Sequence, residues 1–247
     1  FSYRDSSGKP AGYAIAICEK VALALKAKPE WVDLGSGDRF AAVKDGKVDL
    51  LCAGGVPTLA RREQVSFSIP VFLGGTSALL RKDAPDQLTS ILEGRPEPYR
   101  PRWRATLGQV LRGRTFVAVR GTTAEAWLAQ KRGEFQIDAK VETVDSFADG
   151  VRRVADGSAD ALFGDRALLL GAASSATPNE LIVLERYFTD EAAALALMRS
   201  DEDFRLAVDR ALSTLYRSNE IVPIYTTAFG APGELTLRFL RMNALPE

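Results

Sequence analysis

Arg61 stands in the segment Thr58-Leu59-Ala60-Arg61-Arg62-Glu63-Gln64-Val65-Ser66-Phe67-Ser68-Ile69-Pro70, shortly after Gly54 and Gly55. Thr58 is suited to cap a short helical turn that carries Arg61. An arginine beside free backbone N–H groups can hold a small carboxylate through charge-assisted hydrogen bonds. The competing reading is a solvated Arg-Arg-Glu surface turn. A second anion-binding candidate is Arg120-Gly121-Thr122-Thr123-Ala124-Glu125, where two hydroxyl residues open a helix. Partial positive charge and free N–H donors meet there, although a plain N-cap explains the same residues. Asp165 follows the apolar run Ala161-Leu162-Phe163-Gly164. It can accept from an ammonium, cap the next helix or pair with Arg166. A carboxylate clamp plus an ammonium acceptor suits a zwitterionic α-amino acid.

These residues need elements to hold them. Ile17, Val21, Ala24 and Leu25 form an apolar stripe at helical spacing within residues 14–27. A short strand is expected at Trp31-Val32, a helix at 38–45 stopped by Gly46, and a buried strand at 48–53. The following glycines, Gly54 and Gly55, allow a sharp turn or a close approach to a ligand. Residues 71–82 read as a longer strand with a glycine bend. The stretch 84–113 is rich in proline and arginine, contains Trp103, and has room for two short helices around a proline-rich loop. It reads as an exposed insertion or a surface for another protein. Strands at 116–119, 141–144, 159–164, 181–184 and 192–198 then alternate with helices at 122–132, 147–155, from about 166, 201–217 and 221–229. That alternation implies a mainly parallel sheet with helices on its faces.

One pattern occurs twice. The run from Asp38 to Leu51 and the run from Ser146 to Phe163 each hold a helix, a glycine stop and a strand headed by Val-Asp or Ala-Asp. Two such units suggest two lobes of similar construction. Ligands of open parallel sheets bind beyond the carboxyl ends of the strands, so a cleft between the lobes is the expected site.

Composition narrows the chemistry. The 247 residues carry 32 basic and 32 acidic side chains and no histidine. No basic excess argues for nucleic acid, and no apolar stretch reaches the roughly 18 residues of a membrane span. Histidine acid–base chemistry is excluded, and with Cys18 and Cys52 as the only cysteines no metal site or cofactor is expected. The two cysteines form one disulfide or remain two buried thiols. With no initiator Met and no leader, the chain reads as processed or trimmed.

The residues resemble the polar amino-acid family of periplasmic solute-binding proteins that feed ABC importers. Its motifs are matched by Gly12-Tyr13-Ala14-Ile15-Ala16-Ile17, by Gly46-Lys47-Val48-Asp49, and by Thr58, Arg61 and Phe67 to Pro70. Further matches are Gly121-Thr122-Thr123, Asp165, and Ile224-Tyr225 through Phe229-Gly230. The resemblance spans the chain apart from 84–113. It implies a two-lobed type II α/β fold with crossing strands at 72–82 and 192–199. Lobe 1 would comprise 1–80 and 193–247, and lobe 2 would comprise 81–192. By matched position Arg61 grips the α-carboxylate, shared by Thr123 and the N–H groups near Thr122. Asp165 takes the ammonium, helped by the backbone at Gly54 and Val56, and Tyr3 packs near the cleft mouth.

The resemblance also implies an extracytoplasmic monomer, without catalysis, whose partners are an amino acid and the importer's permease subunits. Departures are Val56 where relatives carry Ser or Thr, Ser36 near a usual aromatic, Ala14 and Ala16 in place of an acidic residue, and a start after the family's first strand. Arg120 either faces the ligand and favours an acidic one or lies in solvent. Two alternatives share this scaffold. One is a cyclohexadienyl dehydratase-like enzyme using a carboxyl acid such as Glu125 or Asp165. The other is the ligand-binding module of a sensor or receptor.

Overall fold

A computed structural model describes residues 1–35, 37, 39–94, 104–174 and 180–246. Ser36, Asp38, Trp103 and most of the proline-rich loop lie outside the described residues. The chain divides into two compact units, one formed by Phe1–Leu73 with Glu191–Glu247 and the other by Gly74–Asp190.

In the first unit a ribbon of β1 (Tyr3–Arg4) and β2 (Pro10–Ala11) leads into helix α1 (Tyr13–Ala24). Helix α2 (Arg39–Lys44), strand β3 (Leu50–Gly55), helix α3 (Leu59–Arg62) and strand β4 (Ser66–Gly74) follow. Residues 31–35 form no strand, contrary to expectation. Among the described residues strand β3 pairs with β10 on one side, and Trp31-Val32 does not join its other edge.

The second unit starts at β5 (Thr76–Arg81) and continues through α4 (Asp86–Glu93), α5 (Arg104–Leu111), β6 (Thr115–Val119) and α6 (Thr123–Glu134). It is completed by β7 (Lys140–Val144), α7 (Phe147–Ala155), β8 (Ala161–Asp165), α8 (Arg166–Ser174) and β9 (Leu181–Val183). The chain returns to the first unit in β10 (Glu191–Leu197), α9 (Glu202–Arg217), α10 (Ile221–Phe229) and α11 (Glu234–Asn243). The chain passes from the first unit to the second at residues 73–74, and β5 pairs inside the second unit.

The sheets are mixed rather than mainly parallel. Strand β6 pairs parallel with β7 and β8, as strands returned by helices must. Strand β5 runs antiparallel to β8 and β9, and β10 antiparallel to β3. The sheet orders are β3-β10-β4 in the first unit and β7-β6-β8-β5-β9 in the second.

Period-2 alternation builds the second unit's two cores. Ala78, Leu80, Phe116, Ala118, Ala161 and Phe163 pack on one face with Leu88 and Leu128. Their neighbours Leu79, Val117, Val119 and Leu162 pack on the other with Val151, Val154 and Leu169. In the first unit Val43, Leu51, Val65, Phe67, Ala194 and Ala196 form one core. Beside it Phe1, Tyr13, Phe72, Tyr225 and Phe229 make edge and tilted ring contacts. Cys18 of α1 and Cys52 of β3 are joined by a disulfide across 34 positions.

Candidate functional site

Arg61 lies on the single turn of α3, and the cap expected from the sequence is present: its N–H donates to Thr58 Oγ1 at 3.2 Å. Its guanidinium donates from one NH2 group to the Val56 carbonyl at 2.8 Å and sits 4.8 Å from the Phe40 ring centroid. The solvated-turn reading therefore fails for Arg61. Burial, aided by nearby Arg39 and opposed by Glu191, lowers its pKa to about 10. A partly buried cation under such strain gains most from an anion that replaces lost water.

Val56 takes part through its carbonyl, so the absence of a hydroxyl there does not remove it from the Arg61 environment. Gly54, two residues earlier at the end of β3, has φ of 64°. A Cβ at this position would meet the Phe1 ring at 3.4 Å, an ordinary contact, so it is the conformation that favours glycine. Tyr3 stands on β1 and is 62% exposed.

One residue the sequence reading passed over joins this group. Arg39 opens α2, and its guanidinium carbon lies 5.1 Å from the same Phe40 ring. Its Nε is buried and has no hydrogen-bond partner among the described residues. Burial lowers its pKa. A readable signal existed: a cation at the first position of a helix faces the positive end of the dipole. No acidic residue occupies that first turn to offset it.

In the second unit Thr122 is the N-cap of α6, with Oγ1 accepting from the Glu125 N–H at 3.3 Å and donating to the Val119 carbonyl at 2.6 Å. Glu125 reaches back to accept from the Gly121 N–H at 2.6 Å. Thr123, the first residue of α6, is half-buried. Asp165 ends β8. Its Oδ1 accepts from the N–H groups of Ala167 and Leu168 at 3.0 and 3.3 Å, and its Oδ2 from Gly75 at 3.3 Å. It thus caps α8 rather than pairing with Arg166, whose Nε donates to the Leu184 carbonyl. Arg120 is mostly exposed and pairs with Asp145 at 3.3 Å.

The fold is a two-unit α/β architecture of the type II binding-protein kind, and the model of the bacterial extracellular solute-binding proteins, family 3, matches residues 1–231. The chain belongs to that family. It is 26% identical over 241 residues to the L-glutamate/L-aspartate-binding protein of Pseudomonas aeruginosa, covering 94% of this chain and 74% of that protein. It is 25% identical over 233 residues to the glutamate/aspartate import solute-binding protein of Salmonella typhimurium, covering 89% and 69%. Among solved structures, an ancestral arginine-binding protein bound to arginine superposes with a TM-score of 0.76 at 22% identity, covering 93% of each chain.

Proposed function

We propose that the chain captures a small α-amino acid outside the cytoplasm and delivers it to the permease subunits of an ABC importer, as a monomer and without catalysis. The observation that carries this reading is Arg61, a half-buried guanidinium seated on Phe40, held by Val56 and weakened in basicity by its burial. Relatives named for binding glutamate and aspartate, one of them for import, support the class of cargo. The Cys18–Cys52 disulfide supports an oxidising compartment. Among the described residues no helix is long and apolar enough to cross a membrane.

The dehydratase alternative needs a carboxyl group placed to give up a proton. Glu125 and Asp165 instead accept backbone N–H groups at helix starts, which engages their oxygens as caps. The sensor reading rests on the shared fold, and fold alone does not decide function. Capture then works by population shift: the conformation that binds the ligand better is enriched by it.

Calorimetric titration of refolded, ligand-stripped protein with the common L-amino acids tests this. Saturable 1:1 binding of one or a few, with the ligand recovered intact, is the expected result. Binding of none would overturn the amino-acid reading, and conversion of a bound ligand would overturn the non-catalytic one.

A further inference from the structure

We infer that Arg39 is a specificity residue, and that it selects an amino acid whose side chain carries a second carboxylate. The inference rests on the reading of Arg61 as the anchor of the α-carboxylate. Three observations converge on Arg39. Its guanidinium shares the Phe40 ring with that of Arg61, at 5.1 and 4.8 Å from the centroid. Its Nε is buried without a hydrogen-bond partner among the described residues. It is also half-buried and lines an open groove beside β3 together with Leu34, Gly35 and Ala53, so a solute reaches it from that groove, which Arg61 does not line.

Two cations beside one aromatic ring repel each other, and Arg39 is among the causes that depress the basicity of Arg61. Aromatic contact offsets part of that cost but supplies no acceptor for the N–H groups. One carboxylate on Arg61 would leave the Arg39 donor unmet. A buried donor left unpaired is costly, whereas a carboxylate presents two acceptors that match the planar guanidinium fork. An amide side chain of equal size offers one neutral acceptor and brings its own N–H donors towards a cation. The arrangement therefore discriminates acid from amide at the side chain while leaving the α-carboxylate contact unchanged. Glu191 acts on Arg61 in the opposite sense and partly offsets that repulsion.

The test is calorimetric titration of ligand-stripped wild type, Arg39→Gln and Arg39→Lys with L-glutamate, L-aspartate, L-glutamine and L-asparagine. Wild type should prefer an acidic ligand over its amide by roughly 100-fold, the scale expected for a buried, hydrogen-bonded charge pair. Arg39→Gln should reduce that ratio to under about tenfold by weakening the acids and sparing the amides. Arg39→Lys should fall between the two, since it keeps the charge and loses the fork. A merely structural Arg39 would weaken acids and amides alike and leave the ratio standing, which would overturn the inference. Unchanged acid affinity in Arg39→Gln would overturn it too. Tight wild-type binding of a neutral or basic amino acid in preference would sink Arg39 as an acid selector and leave the Arg61 reading intact. Binding of no amino acid at all would remove both.

Discussion

In the second unit Thr122, Ser146 and Asp165 stand at helix starts, and each accepts from backbone N–H groups. Asp165 illustrates how a cap and a ligand group are separable. Asparagine at that position keeps an oxygen for the N–H groups of Ala167 and Leu168 but loses the negative charge and the second acceptor, which serves the Gly75 N–H. We therefore expect Asp165→Asn to change stability by less than about 1 kcal/mol, whereas Asp165→Ala should cost about that much. If Asp165 also takes the ligand's ammonium, as the family resemblance implies, Asp165→Asn should weaken amino-acid binding at least tenfold. Denaturant unfolding and calorimetry of the same samples check both, and unchanged affinity would reduce Asp165 to a cap.

At this scale the sequence was informative wherever local chemistry decides. Thr58, Thr122 and Asp165 read as caps because their oxygens sit the right number of residues from free N–H groups, and all three make those bonds. Arg39 was missed because its partner ring and the burial of its Nε are tertiary facts. The Val56 carbonyl likewise mattered more than its side chain.

Elements are held together by a few long-range links with measurable consequences. The Cys18–Cys52 bond ties α1 to β3. Loop-closure entropy gives it a worth of about 4 kcal/mol. Reduction, or replacement of both cysteines by serine, should lower the unfolding free energy by roughly that amount. A shift below about 1 kcal/mol would mean that the reduced, unfolded chain is already constrained.

Asp209 of α9 is nearly buried and accepts from the Ile69 N–H of β4 at 2.8 Å. Burial pushes its carboxyl above the usual range, against the pull of Ile69 and Arg205. A carboxyl raised in the folded state stabilises the fold below its unfolded pKa, and that contribution is lost as pH rises through the folded pKa. Asp209→Asn keeps an acceptor for Ile69 and removes the charge. The variant should match or exceed wild type in stability near pH 7, with the difference shrinking as pH falls to about 4. A variant weaker at pH 7 than at pH 4, relative to wild type, would contradict this.

Element identity was legible through period. Helices α7 and α10 fall where apolar spacing put them, at Phe147–Ala155 and Ile221–Phe229. The two short helices α4 and α5 flank the proline-rich loop as read. Two-residue strands such as β1 and β2 have too few positions to show a period. Helix α11 follows Gly230 and Pro232, which read as an ending rather than a link. Strand direction was the larger miss. Alternating helices and strands signal parallel pairing, but β5 enters its sheet directly from the preceding strand and pairs antiparallel with β8.

For the whole molecule, the internal repeat was the useful clue. Both copies form a helix, a glycine of positive φ (70° at Gly46, 78° at Gly157) and a strand, one copy in each unit. The exact crossing points were not legible, because a strand broken at Gly75 looks continuous in sequence while its halves belong to different sheets.

The central claim is that the molecule is an amino-acid receptor anchored on Arg61. The most direct measurement is calorimetric titration of refolded, ligand-stripped wild type and Arg61→Ala with the best-bound L-amino acid, with circular dichroism to verify that both are folded. The account predicts saturable wild-type binding weakened by at least about 100-fold in a folded Arg61→Ala, the scale of losing a hydrogen-bonded charge partner. A folded Arg61→Ala that binds the same ligand as tightly as wild type would contradict it.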